Sequence, residues 1–390
     1  MTAWAHLPEE DPPLVAPAGA DATPLALLPG GGLEQRLRDA EELTDGNEHD
    51  AALELLEELW QQSRHFPALA VRHRLAEAWA QMYLGRLDEA AELLAHAETI
   101  VQSPLFDAAE RAEVLYRRGC VALKLGDVAD ATALFTRALE TNARSRQPSS
   151  LLAAHVLNWR SRCHQARRDF DTAARDAEGS LELAKDAGND RASANALFQA
   201  SLVAERQRQW LLARFYAEEA LDLYRAQGDT LSCARILNNL GGIDFLLGDV
   251  EAAERTLAEA AAVAAESCSN ADVAQATSSL AQVLLHSGRP REARVRALGA
   301  IDLLAGRADF LEELGNAQLV VAESYTAEGD AADASDWLGR AEETFTRLGS
   351  TSQLAAAWIA RGDLARSTGD PATAADLYRH AAKALQDFHF

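Results

Sequence analysis

A segment of about 40 residues recurs nine times along the chain, and this repetition constrains the fold more than any other feature. In each copy, an alanine stands five positions after a turn residue. The pairs are Gly46 and Ala51, Gly85 and Ala90, Gly126 and Ala131, Arg168 and Ala173, Arg208 and Ala213, Gly248 and Ala253, Gly288 and Ala293, Gly329 and Ala334, and Gly369 and Ala374. Such regular spacing is typical of a repeat architecture rather than of two or three separate globular domains.

Two further positions in the copies hold small residues. Seven residues before the turn stand Ala78, Gly119, Ser161, Ser201, Gly241, Ala281, Ala322 and Gly362, with Asp39 as the exception in the first copy. Twelve residues after the turn stand Ala97, Ala138, Ser180, Ala220, Ala260, Ala300, Ala341 and Ala381, with Glu58 as the exception. Small residues at fixed places on two successive helices allow the helices to approach closely. The pattern therefore predicts a packed helical pair in each copy.

Each copy is predicted to form a helix, a tight turn and a second helix. Glycine ends the first helix because it adopts a left-handed conformation at little cost, and the following Asp or Asn caps the second helix. Asp370 and Pro371 fit this arrangement, since proline is tolerated in the first turn of a helix. Alternating β-branched runs are few, and Asn-Gly hairpin turns are absent from the sequence. The predicted fold class is all-α.

The pattern resembles the tetratricopeptide repeat family from Leu33 to about Asp387. Leu240, Gly241, Phe135 and Tyr378 fit the family in addition to the turn, alanine and small-residue positions. The period of about 40 residues resembles a long variant found in kinesin light chains and in bacterial maltose-activator-like and peptide-pheromone receptor proteins. The resemblance implies an α-solenoid, a right-handed superhelix of nine repeats whose first helices line a concave groove.

The predicted solenoid covers residues 33–390, and residues 1–32 lie outside it. Proline, alanine and glycine dominate the first 32 residues, which favours a disordered tail or linker. An alternative interpretation is that the segment Thr23–Leu28 folds back onto the solenoid.

Composition excludes several classes of partner. The net charge is −23, from 60 acidic and 37 basic residues, and disfavours binding to nucleic acid or to an anionic membrane. The sequence lacks a signal peptide and an uninterrupted apolar run of about 18 residues, so a soluble cytoplasmic protein is expected. The four cysteines are far apart and predict small core residues rather than a zinc or disulfide site.

A search for catalytic motifs gives no candidate. Phosphate-loop, zinc-protease and serine-hydrolase motifs are absent from the sequence. His65 with His73 and His155 with His164 lack the spacing of a helical metal site. The sequence therefore predicts a non-enzymatic protein with no cofactor and no metal.

The groove implied by the resemblance carries five basic and two acidic residues in the third to sixth copies. The candidate peptide-binding residues are Arg117, Lys124, His155, Asn158, Arg162, Asn195, Gln199, Arg206, Arg235, Asn238 and Asn239. Amide side chains pair with a peptide backbone, and arginines pair with carboxylates. The groove is thus predicted to hold an extended or acidic peptide segment of another protein.

Three questions stay open at this point. The first is whether the chain is an adaptor that holds a partner segment or a peptide-sensing regulatory protein that changes conformation when it binds a small peptide. The second is whether the polar groove residues bind a ligand or only face water while Trp159 and Phe198 pack between hairpins. The last copy lacks a polar capping helix, so either the tail Phe388–Phe390 folds back over it or a second chain covers it, which would give a homodimer through the C-terminal hairpin.

Overall fold

The chain folds into helical hairpins throughout the part that the computed structural model describes, which comprises residues 31–46, 48–267, 269–304 and 310–386. These ranges contain no strand, so the prediction of an all-α fold is confirmed. The chain divides into two compact units, Met1–Asn189 (unit 1) and Asp190–Phe390 (unit 2). Each unit is a stack of hairpins in which two antiparallel helices are joined by a short turn.

Unit 1 contains four hairpins among its described residues. They are α1 (Gly31–Asp45) with α2 (His49–Ser63), α3 (Pro67–Tyr83) with α4 (Leu87–Val101), α5 (Ala108–Lys124) with α6 (Val128–Ala143), and α7 (Ser150–Ala166) with α8 (Phe170–Asp186). Helix α1 begins two residues before the predicted start at Leu33. The proposed tail and its segment Thr23–Leu28 lie outside the described residues.

Unit 2 contains five hairpins among its described residues. They are α9 (Asp190–Arg206) with α10 (Trp210–Gln227), α11 (Thr230–Leu246) with α12 (Val250–Glu266), α13 (Asn270–His286) with α14 (Pro290–Leu304), α15 (Leu311–Glu328) with α16 (Ala331–Leu348), and α17 (Thr351–Ser367) with α18 (Pro371–Gln386). The nine predicted helix-turn-helix copies are thus confirmed. The right-handed superhelix concerns the whole chain and stays a prediction, and Phe388–Phe390 lies outside the described residues.

The turns explain why the sequence repeats as it does. Gly85, Gly126, Gly248, Gly288, Gly329 and Gly369 have φ angles between 74° and 88°. Arg168 and Arg208 occupy the same position in their copies and have φ angles of 62° and 60°. The left-handed turn is therefore kept even where the residue is not glycine, at a conformational cost. The next residue then caps the second helix, as where Asp249 accepts a hydrogen bond from the backbone N–H of Ala252.

Close helix contact explains the small residues seven positions before the turn. A Cβ atom at Gly119 would lie 2.6 Å from a ring carbon of Phe135, and one at Gly362 would lie 2.5 Å from a ring carbon of Tyr378. Gly241 faces Leu257 in the same way, with the side-chain Cγ at 2.5 Å. Each large side chain stands nine residues after its turn and fills the space that a side chain on the first helix would need.

The first copy departs from the predicted register. Ala51 is exposed, whereas its neighbour Ala52 is fully buried. Ala40 and Leu59 are fully buried as well, and Gly46 does not adopt a positive φ angle. The packing frame of this copy therefore lies one residue later than predicted. In the shifted frame the position seven residues before the turn is Ala40, which fits the small-residue pattern, whereas the position twelve residues after it is Leu59, which remains an exception.

The cysteines pack as small core residues. Cys120, Cys163 and Cys233 are buried free thiols, as the sequence predicts. Cys268 lies outside the described residues.

Candidate functional site

An aromatic cluster lies on the first helices of unit 1. Trp79 and Tyr83 stand one turn apart on α3, and their ring centres are 5.3 Å apart. The Trp79 ring also lies 6.1 Å from Tyr116 on α5 and 6.2 Å from Trp159 on α7. We call Trp79, Tyr83, Tyr116 and Trp159 the aromatic cluster. It connects three successive first helices of unit 1 through their side chains.

Three cations lie over the rings of this cluster. The guanidinium carbon of Arg117 is 4.0 Å from the centre of the Trp79 ring, and that of Arg162 is 4.6 Å from the centre of the Trp159 ring. The Lys124 ammonium is 5.8 Å from the centre of the Tyr83 ring. Cation–π attraction holds long side chains over aromatic faces and so reduces their freedom before any ligand arrives.

The cations differ in how far their charge is balanced. Arg117 donates to the carboxylate of Glu113 at 2.8 Å, and both side chains are about a quarter exposed. Burial alone would lower the pKa of Arg117, but Glu113 and the neighbouring Tyr116 and Cys120 together raise it, so the net shift of the pKa is upward. Arg162 is exposed and forms no ion pair with any residue in the described ranges. The surface therefore keeps a net positive charge.

The neighbouring polar groups do not suggest catalysis. Burial raises the pKa values of the Tyr116 hydroxyl and the Cys120 thiol, so neither is ionised near neutral pH. His155 stacks on Tyr116 with ring centres 6.2 Å apart. Asn158 is 5% exposed, and its Oδ1 accepts no hydrogen bond from the described residues. Tyr116, Cys120 and Asn158 are thus core groups that lie beneath the surface of unit 1.

The candidate residues of unit 2 are largely engaged within the protein. Asn195 accepts a hydrogen bond from the Tyr224 hydroxyl at 2.7 Å. Asn239 on α11 donates to Glu205 at 2.9 Å and accepts from Ser201 at 3.1 Å, both on α9. These bonds connect neighbouring helices, so Asn195 and Asn239 have structural roles in addition to any contact with a ligand.

Arg235 is held by a two-point ion pair. Its guanidinium on α11 donates to both carboxylate oxygens of Asp272 on α13, at 2.9 and 3.3 Å. Ser269 also donates to this carboxylate. Arg235 thus joins two successive hairpins, and its charge is balanced by Asp272.

The remaining candidates in unit 2 divide by exposure. Gln199 is 2% exposed and cannot present its amide to a ligand without rearrangement. Asn238 is partly exposed, and its Oδ1 accepts no hydrogen bond from the described residues. Arg206 is exposed.

Sequence reasoning missed Trp79 and Tyr83, which supply half of the aromatic cluster. Both occupy positions of the same frame, six and two residues before the turn at Gly85. They were left out because the candidate set began with the third copy. Applying the frame to the second copy would have found them.

Two general properties of the described residues concern membranes and metals. None of the described helices is long and apolar enough to cross a membrane. No group of three or more His, Cys, Asp or Glu side chains in these residues is arranged to hold a metal ion.

Comparison with family models identifies the repeats. Two models of the tetratricopeptide repeat match residues 232–305 and residues 112–144. The first range corresponds to helices α11 to α14, and the second to α5 and α6. No curated protein sequence matches the chain.

Solved structures similar to the chain include a Rap protein, a quorum sensor and a conjugation gene regulator. A Rap protein complexed with Competence and Sporulation Factor is 17% identical, with a TM-score of 0.67, and the match covers 92% of this chain and 99% of that one. The apo form of the quorum sensor NprR from B. thuringiensis is 14% identical, with a TM-score of 0.66 over 91% and 99% of the two chains. The Rap conjugation gene regulator of the plasmid pLS20, in complex with the Phr* peptide, is 14% identical, with a TM-score of 0.56 over 92% and 96%. At these identities the likeness shows the fold.

Proposed function

We propose that this chain, which belongs to the tetratricopeptide repeat family, binds an extended peptide segment of another protein on the first helices of unit 1. The observation that carries the proposal is the set of three cations held over the aromatic cluster on α3, α5 and α7. No catalytic step, cofactor, nucleic acid or membrane is part of the proposed role, and a cytoplasmic location remains our prediction.

The chemistry of this surface indicates the kind of segment it would bind. Tyr83 and, in part, Trp79 offer apolar contact area, whereas Tyr116 and Trp159 are buried beneath them at 4% and 7% exposed. The guanidinium of Arg162 can donate two parallel hydrogen bonds to a carboxylate. Tyr83, which is 43% exposed, lies beside Lys124. A segment with acidic side chains next to apolar ones would match both features. The proposed ligand is therefore an acidic peptide in an extended conformation.

The unit 2 candidates receive different roles. Arg235, Asn239, Asn195 and Gln199 are bonded or buried within the protein, so we assign them to structure first. Arg206 and Asn238 remain candidates for ligand contact. This assignment makes unit 1 the surface to test first.

A peptide-sensing regulatory protein is the second candidate. The similar structures that are a quorum sensor and a conjugation gene regulator in complex with a peptide support it. The two candidates differ in what binding does to the protein. Small-angle X-ray scattering with and without the bound peptide would separate them, because a sensor changes its dimensions on binding.

The test is co-purification from native lysate followed by mass spectrometry, with charge reversals of two arginines as baits. Arg162→Glu alters the proposed surface, whereas Arg144→Glu alters an arginine that is 76% exposed at the end of α6. Both variants change the net charge equally. We expect the same partner with wild type and Arg144→Glu and its loss with Arg162→Glu. Recovery of one partner by all three baits would contradict the proposal.

A further inference from the structure

An apolar patch is exposed on a second helix of unit 2. Leu211 is 73% exposed, Leu212 40% and Phe215 53%, all within the first six residues of α10. We call these three residues the α10 patch. Their spacing places them on one face of the helix, opposite the buried Ala213, Ala217 and Ala220, which form the core contact.

The other copies show that the repeat does not require this patch. Its residues stand three, four and seven positions after the turn at Arg208. In the copies with turns at residues 85, 126, 168, 248, 288, 329 and 369, these positions hold Asp, Glu, Arg, Thr or Ala, with Val295 as the exception. At the position of Phe215, for example, the preceding and following copies have Arg175 and Arg255. The patch is thus a property of this hairpin alone.

Charged residues of opposite sign flank the patch. Arg208 precedes α10, and Glu219 follows Phe215 by one helical turn on the same face. Both side chains are exposed, and neither forms an ion pair with any residue that the structure describes. Arg208 also holds a left-handed backbone conformation, at a position where six other copies have glycine in that conformation. The arginine is therefore present despite a conformational cost.

The flanking charges stand on the two sides of the patch. The midpoint between Leu212 and Phe215 is position 213.5, and Arg208 and Glu219 each stand 5.5 positions from it in sequence. Glu219 lies within α10, about 8 Å along the helix axis from this midpoint, whereas Arg208 lies in the turn before the helix begins at Trp210. A surface with a cation and a carboxylate on the two sides of an apolar centre is complementary to itself after a two-fold rotation.

We propose that α10 is a self-association surface at which two copies of this chain pair antiparallel. Leu212 of one copy contacts Phe215 of the second copy, and Arg208 of each copy pairs with Glu219 of the other. The two ion pairs fix the register, and the apolar patches supply the contact area. Because the patch has only three residues, the contact is smaller than that of a permanent dimer, and association depends on concentration.

The first experiment measures the mass of the full chain by sedimentation equilibrium over a range of concentrations. We expect wild type to approach twice 42.1 kDa, or 84.2 kDa, and Phe215→Arg to remain near 42.1 kDa. This substitution introduces the residue type already present at Arg175 and Arg255, so the hairpin should fold. Circular dichroism checks that it does. A wild type that stays monomeric, or a dimer that survives Phe215→Arg, overturns the proposal.

The second experiment tests the register by exchanging charges. Arg208→Glu alone and Glu219→Arg alone each bring like charges together, and we expect the dissociation constant to rise about tenfold. An equimolar mixture of the two variants restores opposite charges at both contacts and should return the wild-type affinity. Failure of the mixture to associate better than either variant contradicts antiparallel pairing.

A matched pair of glycine variants separates folding from association. Arg168→Gly and Arg208→Gly both relieve a left-handed non-glycine residue, so both should raise the melting temperature of the monomer. Only Arg208→Gly should weaken the dimer. Equal dimerisation of the two variants would remove Arg208 from the interface and overturn the assigned register.

Other occupants of the patch give distinct results. A chain that dimerises only after deletion of residues 1–30 would assign the patch to the N-terminal segment. A dimer that survives Phe215→Arg but is lost on Ile359→Arg would assign the interface to the C-terminal hairpin, where Ile359 is 41% exposed. Either result overturns the proposal.

Discussion

The guanidinium carbon of Arg117 on α5 lies 4.0 Å from the centre of the Trp79 ring on α3. Glu113, one turn earlier on α5, holds the same guanidinium from the side at 2.8 Å. Arg117 is thus fixed by a ring below and a carboxylate beside it, and it connects two successive first helices of unit 1. Its orientation is set before a ligand binds, which lowers the entropy lost on binding.

Arg117→Lys should weaken binding of the partner segment although the charge is kept. Lysine lacks the planar group that stacks on Trp79, so its charge is not held in place before binding. We expect this loss of preorganisation to cost roughly fivefold in affinity, or about 1 kcal/mol. Isothermal titration calorimetry with the recovered segment measures the change. Arg118→Lys on the same helix is the control, because Arg118 pairs with Glu98 and lies over no ring of the aromatic cluster. Equal effects of the two changes would argue against a special role for Arg117.

Gly241→Ala should destabilise the protein, whereas Gly242→Ala should not. A Cβ atom at Gly241 would lie 2.5 Å from Leu257 Cγ, but one at Gly242 would have no atom within 4 Å. We expect a loss of about 1 to 3 kcal/mol for the first change and a small gain for the second, because alanine favours a helix over glycine. Urea denaturation compares them. Similar free energies of unfolding would mean that α11 and α12 are farther apart than the structure has them.

Arg235→Glu should lower thermal stability in addition to any effect on binding. The sequence predicted Arg235 as a peptide-binding residue, but its guanidinium donates to both oxygens of Asp272, whose side chain is 9% exposed. Loss of these bonds should cost about 1 to 3 kcal/mol. Arg255→Glu is the matched control, since Arg255 is 72% exposed. A thermal scan that gives the two variants the same melting temperature would remove the structural role of Arg235.

Glu323→Gln should stabilise the protein at neutral pH. Burial raises the pKa of Glu323, and the neighbouring charge of His286 offsets this only in part. Because the folded pKa lies above the unfolded value, stability falls as pH rises through the interval between them and stays lower above it. Glutamine cannot ionise, so Glu323→Gln removes this loss of stability. The gain should therefore be present at pH 7 and vanish below both pKa values, as urea denaturation at the two pH values can measure; the exposed Glu343→Gln is the control.

The sequence predicted the hairpins well because each is determined locally. A left-handed turn, a capping aspartate and an alanine five positions after the turn are all close in sequence. The spacing of these features identified Arg168 and Arg208 as turn residues although they are not glycine. The first copy was misplaced by one residue, since Gly46 looked like the turn but has no positive φ angle. Packing at Ala40 and Ala52, rather than the glycine, sets that register.

The site was harder to predict because its contacts cross between hairpins. Asp272 stands 37 residues after Arg235, and Glu205 stands 34 residues before Asn239. Neither Asp272 nor Glu205 can be inferred as a partner from the sequence of the helix that carries the arginine or the asparagine. The residues of the aromatic cluster, in contrast, stand at positions of the repeat that are predicted to face the groove, so the sequence could have identified them. Positions are predictable from a repeat, but their pairing depends on which side chains happen to face each other.

The contact seven residues before each turn has a consequence for the modularity of the protein. Copies with glycine there, at Gly119, Gly241 and Gly362, oppose a large side chain. Ser161 and Ser201 stand at the same place in copies whose opposing residues are Ala177 and Ala217. A chimera that exchanged α6 for α8 would set Phe135 against Ser161 and leave an empty volume beside Gly119. The two helices of a hairpin are thus matched to each other, and single helices cannot be exchanged between copies without loss of packing.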